Sequence, residues 1–186
     1  MALPRLGTIM LATTLNKHGY EAKTYVEQCA DLDLADALTA DYIGLSTITS
    51  TSKRAYEMAK IFKEAGIPVF MGGPHVTYMP DEALEYCDYV LRGEADDNIV
   101  DFMKALETGI GLDDIKGLSY RRKDGRIMHN SEVPLCKDIN TLPCPDFKLI
   151  GGLETKGSKN FTITPIMTSR GCPYDCSFCS VTSMFG

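Results

Sequence analysis

Three short apolar runs, each leading into a loop and then a helical pattern, constrain the fold most. They are Tyr42-Ile43-Gly44-Leu45-Ser46-Thr47, Ile67-Pro68-Val69-Phe70-Met71 and Asp88-Tyr89-Val90-Leu91-Arg92. Between the first two, Ala55, Met58, Ala59 and Phe62 recur at the spacing of one helix face, with Ser52 as the expected cap and Gly66 as the terminator. A short helix is predicted over 81–87. After the third run, Ile99, Phe102, Met103 and Leu106 repeat the helical spacing. Strands alternating with helices through short loops predict right-handed crossovers and a parallel α/β sheet covered on both faces. Ligands of such sheets sit beyond the carboxyl ends of the strands. The loops 46–51, 72–77 and 93–96 therefore become candidates together.

The flanks are less regular. Residues 6–17 form an apolar helical stretch closed by Lys17, His18 and Gly19, a cation and a glycine suited to a helix C-terminus. A strand is expected over 21–27 and a short helix over 33–38. No apolar strand precedes Pro4, so the first strand of the sheet is expected to lie upstream of this sequence. Beyond Gly111, the stretch 117–128 reads as a hairpin turning at Asp124-Gly125. Residues 131–160, with Pro134, Pro143 and Pro145, have linker composition. A new strand is expected over 161–167.

That last strand would deliver Cys172, Cys176 and Cys179, three thiols on one loop. Thiolates are soft ligands that suit an iron–sulfur cluster or zinc. A cubane held by three thiolates leaves one iron open to a small molecule, whereas structural zinc wants a fourth Cys or His. Only Cys136, Cys144 and His129 are near in sequence, without finger-like spacing. The chain of 186 residues has seven cysteines and no signal-peptide pattern, which favours reduced thiols and a cytoplasmic setting. With 44% hydrophobic residues it can bury a core, but no apolar run approaches the ~20 residues of a membrane span. A net charge of −6 argues against nucleic acid as a partner.

The loop Ser169-Arg170-Gly171-Cys172-Pro173-Tyr174, continuing to Cys176, Phe178 and Cys179, resembles the cluster motif of the radical S-adenosylmethionine superfamily, with Phe178 at its aromatic position. The resemblance implies a 4Fe–4S cluster on Cys172, Cys176 and Cys179. Its open iron would bind S-adenosylmethionine for reductive cleavage to a 5′-deoxyadenosyl radical. Upstream, Gly72-Gly73-Pro74-His75-Val76-Thr77, Arg92-Gly93-Glu94-Ala95-Asp96, Gly117-Leu118-Ser119-Tyr120-Arg121 and Leu142-Pro143-Cys144-Pro145-Asp146 are similar, in order, to motifs of the cobalamin-binding branch. This implies a Rossmann-like (flavodoxin-like) cobalamin domain over 1–112. A hairpin and linker would follow over 113–160, and the start of a radical partial TIM barrel over 161–186. The implied reaction is methyl transfer to an unreactive carbon or phosphorus centre, or a cyclisation. The substrate would be a small molecule or peptide, and the electron donor a flavodoxin or ferredoxin.

Within that frame the candidate cobalamin contacts are Ser46, Thr47, Thr49 and Ser50 through hydroxyls, and Gly72 and Gly73 through close backbone approach. His75, Gly93 and Glu94 complete the set. No catalytic residue is assigned, and this chain alone is expected to be inactive. The Asp-x-His-x-x-Gly motif that supplies a histidine to cobalt is absent: Asn16 stands where the aspartate before His18 would be. Bland roles stand beside these. Cys29 and Cys87 read as buried small side chains, His129 as a solvated strand residue, and Asp81 and Glu82 as helix-start charges. Two other readings remain open: a radical enzyme whose first domain does not bind cobalamin, and a corrinoid- or nucleotide-binding module with zinc on its cysteine loop.

Overall fold

The computed structural model describes residues 4–136, 138–152 and 164–186. They belong to two compact units, Met1–Ala37 with Lys137–Arg170, and Leu38–Cys136 with Gly171–Gly186.

The first unit is organised around α1, Leu6–Lys17, which buries Ile9, Met10, Ala12, Thr13, Thr14 and Leu15. Gly19, at φ +89°, ends it as expected. Among the described residues, the predicted strand over 21–27 reduces to one parallel bridge, Thr24 to Ile150. Its partner is too short for a ladder, because residues 147–149 wind into a 3₁₀ turn just before the bridge. The expected linker thus contributes core: Ile150 packs with Ile9, Val26 and Cys29, and Phe147 lies against them. Thr13 links the two segments, donating to the Ile9 carbonyl at 2.7 Å and accepting from the Asp146 N–H at 2.9 Å. Helix α2, Leu34–Ala37, carries Asp36, which accepts from the Tyr25 hydroxyl at 2.5 Å and from Lys23 at 2.9 Å. Those two partners hold the Asp36 carboxyl below its ordinary range.

The second unit is built on a five-stranded sheet in the order β1-β2-β3-β4-β5. Strands β1 (Ile43–Ser46), β2 (Val69–Gly72) and β3 (Tyr89–Leu91) are parallel. The hairpin β4 (Leu118–Arg121) and β5 (Ile127–His129) then continues the sheet antiparallel to β3. The sheet is therefore mixed, and the hairpin expected in a connector belongs to it. Burial explains this: Leu118 and Ser119 are fully covered, and pairing satisfies a β3 edge that would otherwise be left open.

Helix α3 (Ser52–Glu64) joins β1 to β2, and the short helices α4 (Pro74–Tyr78) and α5 (Pro80–Ala83) join β2 to β3. Both crossovers step the same way, so right-handedness puts all three helices on one face. Helix α6 (Ile99–Thr108) covers the other, where Phe102 meets the rings of Phe70 and Tyr89 edge-on at 5.3 and 5.7 Å. Ser52 does not cap α3. A 3₁₀ turn over Thr49–Thr51 runs straight into the helix, and the Ser52 hydroxyl donates back to the Thr49 carbonyl at 3.0 Å. Helix α7 spans Val181–Phe185. The strand expected over 161–167 falls partly outside the described residues, and its described part, 164–167, is not a strand. No helix among the described residues is long and apolar enough to cross a membrane.

Candidate functional site

The carboxyl ends of β1 and β2 meet through Gly73. Register pairs Ser46 with Gly72, and the Thr47 N–H continues the contact to the Gly72 carbonyl at 3.0 Å. Gly73 then adopts φ +98°, ψ 173°, a conformation essentially reserved for glycine. A Cβ there would lie 2.6 Å from the Thr47 carbonyl oxygen, so the two loops touch backbone to backbone. Of the four hydroxyl residues, Ser46, Thr49 and Ser50 are exposed. Thr47 is 2% exposed and turns inward, donating to the Ile48 carbonyl at 2.9 Å and lying 2.9 Å from the Thr51 hydroxyl.

His75 sits in the first turn of α4 and joins three elements. Its Nε2 is 3.0 Å from the Tyr56 hydroxyl, which in turn lies 3.0 Å from Glu82 Oε1. Its Nδ1 is 3.3 Å from the Thr49 hydroxyl. Tyrosine has one proton, and the carboxylate can only accept it. Nε2–H therefore donates to Tyr56, and in the neutral ring Nδ1 accepts from Thr49. Burial, reinforced by the Glu82 hydrogen bond, pushes the Tyr56 phenol upward and keeps it a donor. The Tyr86 ring stacks on Tyr56 at 4.2 Å. His75 is thus held in one orientation, with its ring nitrogens occupied.

The third loop is tied to the second by Thr77. Its hydroxyl donates to the Gly73 carbonyl at 2.9 Å and accepts from the Gly93 N–H at 3.0 Å. Gly93 has φ +75°. Glu94 is 8% exposed, and its Oε2 accepts from the Cys136 N–H at 2.9 Å, so this carboxylate faces the protein. The three loops therefore gather at one end of the parallel strands. Thr51 and Thr77 lie within the expected loops 46–51 and 72–77 but without an assigned role; sequence reasoning does not single out Tyr56, and it reads Glu82 only as a helix-start charge. Tyr56 did carry a signal, a polar-tipped ring one position after Ala55 on the buried stripe of α3.

The cysteine loop lies in the same unit. Gly171, at φ +85°, turns the chain into Cys172, and the Cys179 N–H donates to the Cys176 carbonyl at 2.9 Å. Cys176 is exposed, Cys172 and Cys179 are half-buried, and Phe178 is 91% exposed. The three sulfurs are not converged: among the described residues no three His, Cys, Asp or Glu side chains stand as a metal-binding group. As a donor set, three thiols on one accessible turn fit a soft centre. Cys29 and Cys87 are buried, as expected for packing residues. His129 is not simply solvated: Nδ1 lies 2.9 Å from the Ser119 hydroxyl, and Nε2 lies 3.0 Å from Asp81. His18 turns back to the Thr14 carbonyl at 2.8 Å. Asn16 donates to the Ala12 and Ala22 carbonyls, closing the end of its own helix.

Comparison with known proteins bears on the family and the fold. An uncharacterized methyltransferase of Pyrococcus horikoshii is 32% identical over 98% of this chain and 42% of its own length. Bacteriochlorophyllide d C-12(1)-methyltransferase of Chlorobaculum tepidum is 27% identical over 97% of this chain and 36% of its own length. Anaerobic magnesium-protoporphyrin IX monomethyl ester cyclase of Rubrivivax gelatinosus is 26% identical over 91% and 33%. The chain thus spans less than half the length of these curated relatives. Among solved structures, apo OxsB, a cobalamin-dependent S-adenosylmethionine radical enzyme, superposes with a TM-score of 0.69 over 94% of this chain and 25% of its own, at 24% identity. TsrM of Kitasatospora setae, with cobalamin and a 4Fe–4S cluster bound, gives 0.59 over 79% and 29%, at 16% identity. Residues 2–103 match the family model described as the B12 binding domain, and the chain belongs to that family.

Proposed function

We propose that this chain is the corrinoid- and cluster-bearing part of a cobalamin-dependent radical S-adenosylmethionine enzyme working in the cytoplasm, which catalyses methyl transfer or cyclisation on an unactivated substrate. The observation that carries the proposal is the placement of the three strand-end loops and the cysteine loop in one compact unit, on a chain whose B12-binding match covers those strand-end loops. Substrate binding and turnover belong to the longer protein. The substrate is a small molecule or peptide, and the electron donor a flavodoxin or ferredoxin.

Cys172, Cys176 and Cys179 would hold the cluster, and the loops at 46–50, 72–75 and 93–94 would receive the corrinoid. When bound, these groups supply the electron that cleaves S-adenosylmethionine and, in the methyltransferase case, the methyl group to be transferred. The chain's own contribution is placement. Gly73 lets backbone come within contact of backbone, leaving a surface without side-chain bulk. Ser46, Thr49 and Ser50 present hydroxyls to polar groups of the tail or of the ring amides. Thr49 reaches outward while holding His75, so a ligand group meeting that hydroxyl meets an oriented chain of donors running to Glu82. Glu94 shapes its loop by bonding Cys136.

Anaerobic reconstitution of the full-length protein with iron, sulfide and hydroxocobalamin tests the assignment. The expected result is one corrinoid and one 4Fe–4S cluster per chain, with the cluster lost in Cys172→Ser, Cys176→Ser and Cys179→Ser variants. Cluster formation without corrinoid uptake supports a radical enzyme of another kind. Retained zinc with no cluster signal overturns the proposal.

A further inference from the structure

We propose that α4 acts as a spacer between the corrinoid loops and the cluster loop, with Tyr78 as a positioning residue for the cluster; this rests on the cofactor assignment above. Helix α4 is five residues long, and each end is tied to a different site. At its start, Gly73 meets Thr47, and the His75 N–H donates to the Thr47 carbonyl at 3.3 Å. One turn later, Thr77 bonds Gly73 and Gly93 together. The next residue, Tyr78, leaves the site and reaches across 102 positions of sequence. Its hydroxyl donates to the Ser180 carbonyl at 3.2 Å and meets the Ser183 hydroxyl. Ser180 directly follows Cys179, and Ser183 lies on α7, which also buries Met184.

The route from the corrinoid loops to the third cysteine therefore crosses a single helical turn. Tyr78 is 47% exposed, so its ring fills little core, and its hydroxyl makes the specific contacts. Radical transfer depends on where reacting atoms are held, and small displacements are costly. A residue that touches neither donor set but fixes their separation suits that requirement.

The test uses the reconstituted full-length protein and its Tyr78→Phe variant, which keeps the ring and removes the hydroxyl. Two measurements are made at matched iron and corrinoid content. Pulsed dipolar EPR between cob(II)alamin and the dithionite-reduced cluster should give a narrow distance distribution in the parent and a broader one in the variant. Amide hydrogen exchange over 180–186 should quicken about tenfold, the opening expected when roughly one net hydrogen bond is lost. A Ser183→Ala variant, lacking one partner only, should move both readouts in the same direction by less. Unchanged distance distribution and exchange in Tyr78→Phe, with both cofactors bound, overturns the spacer role alone. A protein that takes up no corrinoid overturns the cofactor assignment, and the spacer role with it.

Discussion

Replacing Gly73 by alanine tests the junction of β1 and β2 directly. Two costs combine. The backbone at φ +98°, ψ 173° is one that residues with a Cβ adopt only at a cost of order 1–3 kcal/mol. The new Cβ would also sit 2.6 Å from the Thr47 carbonyl oxygen and 3.0 Å from its nitrogen. Both atoms belong to backbone already bonded to Gly72 and His75, so they cannot swing aside as a side-chain tip would. A total near 3 kcal/mol is expected, which for a chain of this size lowers the unfolding midpoint by roughly 6–12 °C. Gly72→Ala is the internal control. A Cβ there meets only the Leu91 carbonyl, at 3.6 Å, an ordinary contact, and the loss should stay below about 1 kcal/mol. Thermal unfolding followed by circular dichroism compares the two variants without any cofactor. Equal midpoints would refute the argument that the loops meet backbone to backbone, and with it the physical reason for a glycine at this position.

Three further outcomes follow from the packing and charges. Phe102→Ala, at a fully buried ring between Phe70 and Tyr89, should cost about 3–5 kcal/mol in urea unfolding. Burial pushes the Cys87 thiol up to about 12, so iodoacetamide at pH 8 should spare Cys87 while modifying exposed Cys144 and Cys176, as peptide mass spectrometry would read. Hydrogen bonds from Arg122, and then Tyr120, hold the Asp113 carboxyl below its ordinary value of 3.8. Its stabilising contribution is therefore complete above that value and is lost as pH falls through the lowered folded value. Asp113→Asn should flatten that part of an acid-stability curve, and an unchanged acid slope would count against the pairing.

The parallel strands were legible because each apolar run is bounded by its own terminator and its own helix pattern. Residues 21–27 alternate like a strand but among the described residues bridge only to Ile150, and no local pattern could show that a segment rich in proline would return to meet them. The Asp124-Gly125 turn announced that β4 pairs with β5. It carried no information about the outer neighbour β4 would take, and so the mixed sheet was missed. Within the site, glycines marked the loops because special backbone geometry limits residue choice. The partners of His75 were not visible as partners: Tyr56 and Glu82 lie on separate helices, and neither the polar tip beside the α3 stripe nor the helix-start carboxylate shows locally which side chain it will meet. The cysteine spacing named a ligand class, whereas the Tyr78 contact to Ser183, made across 105 residues, depends wholly on the folded chain.

The pairing of Thr13 with Asp146 has a consequence for the newly made chain. The two positions are 133 residues apart, so the ribosome needs roughly 7–27 s at ordinary elongation rates to finish the second after emitting the first. All five strands of the sheet emerge in that interval. The α1 segment, apolar over most of its surface, must wait without this partner until the whole sheet has left the exit tunnel. The first unit can therefore close only after the sheet has been made.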